Sequence, residues 1–174
     1  ILEALVEETQ NKVIVLDPTG EYSTFDAAEF VESRIMGETC HFPYRQLKVA
    51  DLFYLLRPTA QSQRPVLAQA IRSLKTVELA RTNGDKTLDH HIDGRGCLEK
   101  SGKEKRPVQC FQYKHIDQIE DDLCSFDIRN LPFQLKNECV YETGVENDSL
   151  HWGRQDDKMD DFQSALKIRI QELL

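Results

Sequence analysis

The chain has 174 residues, a net charge of −8 at pH 7 and 40% hydrophobic residues. This is the length of one domain with enough apolar residues for a substantial core, and its acidic balance argues against a domain that wraps nucleic acid, which needs clustered Lys and Arg. No apolar stretch approaches the ~20 residues of a membrane-spanning helix and no signal peptide is visible, so we expect a cytoplasmic protein with no membrane partner.

Residues 13–22, VIVLDPTGEY, form the most informative segment of the chain. An apolar run that ends at Asp17 predicts a buried parallel strand with a carboxylate at its C-terminal end. Pro18 ends the strand, and Gly20 allows a tight turn that brings Glu21 back beside Asp17. Two carboxylates at a strand end suit Mg²⁺, a nucleotide phosphate or the orientation of a water molecule. The same acids could instead only cap a turn, and spacing alone also fits a Walker B strand.

The spacing of apolar residues predicts that the remainder of the chain is mainly helical. Apolar residues recur at intervals of three and four in several segments, and Pro58, Asn83-Gly84 and Asn130 stand at places where helices end or begin. A polar, irregular stretch at 143–157 precedes the last helix, with Trp152 as its possible anchor. The predicted helices cover residues 49–57, 65–82, 116–123, 130–139 and 162–174.

One basic cluster interrupts the acidic chain. Residues 97–100 and 108–111 are predicted as two short strands of a β-hairpin, and the loop between them contains Gly102 and several basic residues. A concentrated basic patch is what contact with a DNA backbone requires, although a solvated hairpin tip would have the same composition. The candidate DNA-contacting residues are Lys100, Lys103, Lys105 and Arg106.

Cysteine and histidine do not indicate a redox or metal site. The five cysteines are odd in number and widely spaced, and no C-x-x-C pair exists, so neither a disulfide framework nor a zinc site is expected. His90-His91 near Cys97 could bind a metal, but such a group is far more commonly part of a loop. Asp89-His90-His91 is similar to the signature of the DHH phosphoesterases, whose supporting aspartate motifs are absent here.

The segment LDPTGEYS at 16–23 closely resembles the motif that follows the phosphate-binding helix in HerA-like ATPases, which are relatives of the FtsK motors. The resemblance extends over most of residues 1–140. The segments downstream of residue 40 are similar to the insert region of bacterial members of that family. The resemblance is specific at 13–22 and 42–75. The downstream segments that carry the resemblance are 41–47, 51–58, 61–65 and 70–75, and a weaker resemblance lies at 126–141.

The resemblance implies an ATPase that uses ATP and Mg²⁺ and acts on DNA as a ring, expected to be a hexamer, with a companion nuclease or other effector. It implies that Asp17 positions Mg²⁺ or its water shell, that Gly20 shapes the nucleotide-facing turn, and that Glu21 orients the attacking water. The G-x-x-x-x-G-K-[ST] loop of such enzymes is absent from the sequence. The nearest imitation, Gly96 to Gly102-Lys103-Glu104, has its glycines one residue too far apart and a carboxylate that would repel phosphate.

We therefore expect a piece of a longer protein, with the phosphate-binding loop just upstream of Ile1. The fold class is α+β and predominantly α-helical: a partial RecA-like core edge plus an α-rich insert with a short β-hairpin. The expected divisions are a core edge at 1–39, the insert at 40–157 and a helix at 158–174 that returns to the core. The alternative is a non-catalytic helical docking or oligomerisation module, in which Asp17 and Glu21 only cap a turn.

Overall fold

A computed structural model describes residues 14–19, 21, 34–35, 38 and 43–173. The chain divides into two compact units, residues 1–42 and 43–174, and nearly all of the described residues belong to the second. Val13, Gly20 and Tyr22 of the predicted strand and turn lie outside the described residues. The expected division near residue 40 and the return of the last helix to an ATPase core stay predictions.

The described part of the second unit is predominantly helical, as the sequence predicted. Short 3₁₀ turns at 44–46, 89–91, 128–130 and 145–147 connect or precede its helices. None of the described helices combines the length and apolarity needed to cross a lipid bilayer. The helices are α1 (Val49–Leu56), α2 (Gln63–Thr82), α3 (Arg106–Lys114), α4 (Ile116–Ile119), α5 (Leu131–Glu138), α6 (Asp157–Asp161) and α7 (Ser164–Glu172).

The long helix α2 is the centre of the unit. It has 20 residues, carries a proline in its first turn, and ends before Gly84, whose φ of +64° suits a residue without a side chain. One side of α2 packs along α5, and its apolar residues recur at intervals of three and four. The predicted helices at 49–57, 65–82 and 130–139 are thereby confirmed to within two residues at each end. The buried apolar residues of α2 are Val66, Leu67, Ala70, Ile71, Leu74, Val77 and Ala80.

Two hydrophobic clusters form the core. The larger one joins α1, α2, α5 and α7, and Phe126 is its largest fully buried side chain. The smaller one lies where the C-terminal half of α2 meets α3, and Trp152 packs against it from the irregular stretch before α6. This contact agrees with the expected anchoring of that stretch by its only tryptophan.

The last helix is part of the same core. Leu166 and Ile170 of α7 are almost completely buried in the larger cluster. Arg169 donates hydrogen bonds from Nη1 to the backbone carbonyls of Leu56 and Arg57, and from Nη2 to Oε1 of Gln63 at 3.0 Å. Because these acceptors lie at the end of α1 and the start of α2, the guanidinium ties the connection between the two helices to α7.

The predicted β-structure differs from the observed structure. Residues 14–17 are not in a strand, and Ile14 and Leu16 are 86% and 89% exposed, so the buried strand is not confirmed. A parallel strand is stable only between neighbours, and the described residues contain four isolated β-bridges and no sheet.

The predicted β-hairpin is wrong. Residues 108–111 lie inside α3, with Val108 and Phe111 buried on one side of that helix. The signal that was missed is Pro107 in the first turn, because proline is favoured there and a three-residue apolar interval fits a helix better than a strand.

Candidate functional site

The two predicted acidic residues lie on one turn. Oδ1 of Asp17 accepts hydrogen bonds from the backbone N–H of Thr19 at 3.3 Å, the hydroxyl of Thr19 at 3.3 Å and the backbone N–H of Glu21 at 3.2 Å. Asp17 is half-buried and Glu21 is exposed. The chain therefore turns back between positions 17 and 21, which holds both carboxylates on one short segment. This geometry suits an acid that organises a turn and a second acid that faces solvent.

The four predicted DNA-contacting residues do not form one exposed loop. Lys100 is buried and its ammonium pairs with Oε2 of Glu138 while lying 5.3 Å from the ring centroid of Trp152. Lys105 is also buried and pairs with Oε1 of Glu142 at 3.0 Å.

The other two basic residues reach solvent. Lys103 is half-buried and pairs with Glu99 at 3.3 Å, and Arg106 is exposed at the first position of α3. The sequence could not show which of the four basic residues are buried. Their spacing shows where the charges lie along the chain, but not which lysine pairs with an acid that is distant in sequence. Contact of these residues with DNA stays a prediction.

Buried polar contacts around Lys100 join three parts of the chain. Gln134 of α5 accepts from the backbone N–H of Leu98 at 2.7 Å and donates to the carbonyl of Leu98 at 3.0 Å. The same amide donates to Oε1 of Glu138 at 2.8 Å, whose other oxygen receives Lys100. The segment 98–100 is thus held to α5 by a connected network of buried polar contacts.

Two of the buried cysteines and one buried histidine of the described residues lie in structural surroundings. Burial raises the pKa of the Cys97 and Cys139 thiols to about 12, which keeps both protonated at neutral pH and makes them poor nucleophiles. His91 is buried, and its Nε2 lies 2.9 Å from the carbonyl of Glu104. Among the described residues, no three His, Cys, Asp or Glu side chains come together as a metal site.

A surface groove that sequence reasoning missed runs between α1 and α2. It has a volume of about 600 Å³ and a largely apolar lining that includes the small residues Ala50 and Ala68. A continuation of about 480 Å³ extends past Tyr54 to Arg57. The available signal was an aromatic pair followed by two Arg-Pro dipeptides, at 57–58 and 64–65.

The lining of the groove contains both basic and acidic residues. At one end Arg64 lies over the ring of Phe53, 5.3 Å from its centroid. At the other end Glu120, Asp121 and Asp122 follow α4. Two of these acids form ion pairs within the chain, Glu120 with Arg72 at 3.1 Å and Asp122 with Lys48 at 3.5 Å. The buried ammonium of Lys75 donates to the backbone carbonyl of Asp121. Burial lowers the pKa of Lys75.

Comparison with known proteins gives one family. The family model described as "Helicase HerA, central domain" matches residues 1–145, which include the turn at 17–21 and helices α1 to α5. No curated protein and no solved structure matches the chain.

Proposed function

Because the chain belongs to the helicase HerA central-domain family, we propose that it is part of an ATP-dependent DNA translocase of the HerA/FtsK type that assembles as a hexameric ring and acts with a companion nuclease or other effector. The observation that carries the proposal is the family match over residues 1–145. The geometry that supports it is the turn inside the matched region in which Oδ1 of Asp17 accepts a hydrogen bond from the backbone N–H of Glu21, so that both acids lie on one short segment.

In this proposal Asp17 and Glu21 serve ATP hydrolysis. The turn fits that role, since the donors to Oδ1 of Asp17 fix the position of that carboxylate and Glu21 is exposed to solvent. Asp17 would hold Mg²⁺ through its water shell, and Glu21 would orient the attacking water. Mg²⁺ bound to ATP would neutralise the charge that develops on the phosphates.

Two substitutions in the full-length protein test these roles. Glu21→Gln keeps size and removes charge, so we expect ATP binding to be retained and turnover to fall by roughly ten-fold or more. Asp17→Asn keeps a side-chain oxygen that can accept the same hydrogen bonds, so the turn should persist while turnover falls similarly. Glu38→Gln, an exposed acid of the same unit, is the control. Unchanged turnover in both test variants would show that the acids only shape the turn.

DNA binding within this proposal is assigned to Lys103 and Arg106, the two basic residues of the cluster that reach solvent. Neutralising both should weaken DNA binding equally across sequences. It should also flatten the salt dependence, by nearly one unit of log–log slope for each phosphate that the protein no longer neutralises. Fluorescence anisotropy at several salt concentrations measures this. An unchanged slope would place the DNA path elsewhere.

A second candidate function, a helical docking module without catalytic duty, is favoured by the groove between α1 and α2. Tyr54 and Arg64 are exposed and line this recess, and Arg64 has no ion-pair partner within the described residues. The ATPase assay above separates the two, because docking alone predicts no dependence of turnover on residue 21.

A further inference from the structure

Lys75 of α2 is a buried lysine without an ion pair. Three lysines are buried among the described residues, and two of them, Lys100 and Lys105, pair with a glutamate. Lys75 is 4% exposed, yet no carboxylate of the described residues lies within ion-pair distance of its ammonium, which donates to the backbone carbonyl of Asp121. A buried ammonium without a counter-ion is unfavourable, and loss of its proton removes the buried charge. The position therefore suits a neutral amine.

The surroundings of Lys75 determine its protonation. Burial lowers the pKa of Lys75, and this effect is larger than the opposing effect of the acids nearby. Helix α1 faces the same groove with the apolar residues Val49, Ala50 and Phe53, and Arg72 lies one turn before Lys75 on α2. A neutral lysine amine carries a lone pair that can attack an electrophilic carbon, which an ammonium cannot do. The titratable groups that raise the pKa of Lys75 are Asp121, Cys124, Glu120 and Asp122.

Lys75 lies in the lining of the α1–α2 groove. The groove has a volume of about 600 Å³, which is within the range of roughly 300–1,000 Å³ of small-molecule sites. Helical side chains lean toward the N-terminus of their helix, so a molecule joined to Lys75 would extend along Ile71 and Ala68. Both residues line the groove, and the short side chain of Ala68 leaves room beside it. The groove therefore gives the amine an apolar compartment that is open to a small ligand.

The lining indicates which ligand fits. Apolar walls favour a hydrocarbon or aromatic body. The three acids at 120–122 outnumber the two cations that pair with them, which disfavours a ligand with a negative charge. We propose that Lys75 is a nucleophilic amine that forms an imine with small, uncharged apolar aldehydes bound in the α1–α2 groove. The inference does not depend on the ATPase proposal, because neither Asp17 nor Glu21 lines the groove.

The proposed reaction conserves electrons and releases water. Nζ of Lys75 attacks the carbonyl carbon of the aldehyde, and the two hydrogens of the neutral amine leave with the carbonyl oxygen as one water molecule. A C=N double bond takes the place of the C=O double bond, with no oxidation or reduction. The imine carries no charge, so burial in the groove favours it over the protonated amine.

The test is trapping of the imine in the 174-residue chain. Benzaldehyde is the probe, cyanoborohydride reduces the imine to a stable secondary amine, and peptide mass spectrometry identifies the modified lysines. At about pH 7 we expect Lys75 to be labelled roughly ten-fold or more faster than the exposed Lys86 and Lys114, because its amine is more often neutral and the groove holds the probe beside it. Lys100, which is buried but paired with Glu138, should stay unlabelled. The preference for Lys75 should shrink towards about pH 10, where exposed lysines lose their protons as well.

Filling the groove is the second test. Ala68→Phe should remove the preferential labelling of Lys75 and leave the labelling of Lys86 unchanged. Gln69→Phe, at a neighbouring exposed position outside the groove lining, is the matched control and should be labelled as the wild type is. Circular dichroism confirms that both variants keep the fold.

Three results would overturn the inference. Labelling of Lys75 no faster than that of Lys86 would show that the ammonium only ties Asp121 to α2. Preferential labelling that persists in Ala68→Phe would exclude the groove as the place where the aldehyde binds. Glyoxylate, an anionic aldehyde, should not label Lys75 preferentially, and a preference equal to that of benzaldehyde would show that the apolar ligand class is wrong.

Discussion

Lys100 and Glu138 form an ion pair in which both side chains are nearly buried, with 10% and 3% of their surfaces exposed. The pair joins the segment after Leu98 to α5, and Gln134 completes its hydrogen bonding. Removing one member of such a pair leaves an uncompensated buried charge, which is far more unfavourable than the loss of an exposed pair.

Lys100→Met should therefore lower the free energy of unfolding by roughly 3–5 kcal/mol, measured by urea denaturation. Lys103→Met removes an exposed pair with Glu99 and should change it by no more than about 1 kcal/mol. The double variant Lys100→Met/Glu138→Met should be more stable than Lys100→Met alone. Equal effects of the two lysine substitutions would show that Lys100 is hydrated in solution.

Gly153 is required because two backbone segments of the irregular stretch pass close together. A Cβ at this position would lie 2.4 Å from the carbonyl oxygen of Thr143 and 2.7 Å from Cβ of Tyr141. Since backbone must move to relieve this overlap, Gly153→Ala should destabilise the chain by about 1–3 kcal/mol. Gly94→Ala, which meets no atom within 4 Å, is the control. A thermal melt in which both variants match the wild type would contradict the close approach.

The C-terminal helix should be needed for stability although the family match ends at residue 145. Leu166 is 0% exposed in the larger cluster, so Leu166→Ala should lower the free energy of unfolding by roughly 2–5 kcal/mol. Ile168→Ala on the outer side of the same helix should have a much smaller effect in dilute solution. A chain truncated after residue 145 should lose cooperative unfolding, and a sharp, wild-type-like transition would show that α7 is dispensable.

Stability should decrease at alkaline pH through the buried thiols. Burial raises the pKa of Cys97 and Cys139 to about 12, above the ordinary value of 9.0. Between these two values the unfolded chain loses protons that the folded chain keeps, so the stabilisation present below pH 9 is lost as pH rises towards 12. Urea denaturation at increasing pH measures this, and Cys97→Ala/Cys139→Ala should show a weaker decline. An equal decline would assign the effect to other groups.

The 174-residue chain should not bind Mg-ATP tightly. Most phosphate contacts in P-loop enzymes come from a glycine-rich loop and the helix N-terminus behind it, and the sequence contains no G-x-x-x-x-G-K-[ST] segment. Isothermal titration calorimetry should show no specific heat. Clear micromolar binding would mean that this chain holds a complete nucleotide site of another design.

Local sequence signals determined α1, α2 and α5 and the hydrogen-bonded turn after Asp17. Pro58, Pro65 and Gly84 act on their own backbone, so the ends of α1 and α2 follow from the residues themselves. The turn between Asp17 and Glu21 is likewise a short-range arrangement. The family was also recognisable from the sequence, because the resemblance depends on short stretches of consecutive residues such as LDPTGEYS.

Only the tertiary structure decided which charges are available. Lys100 meets Glu138 thirty-eight positions away, and Lys105 meets Glu142 thirty-seven positions away, so spacing along the chain could not reveal that two of the four basic residues are buried. The groove likewise combines residues from α1, α2 and the segment after α4. Burial and long-range pairing depend on how helices pack, and packing energy is a property of several segments together that none of them carries alone.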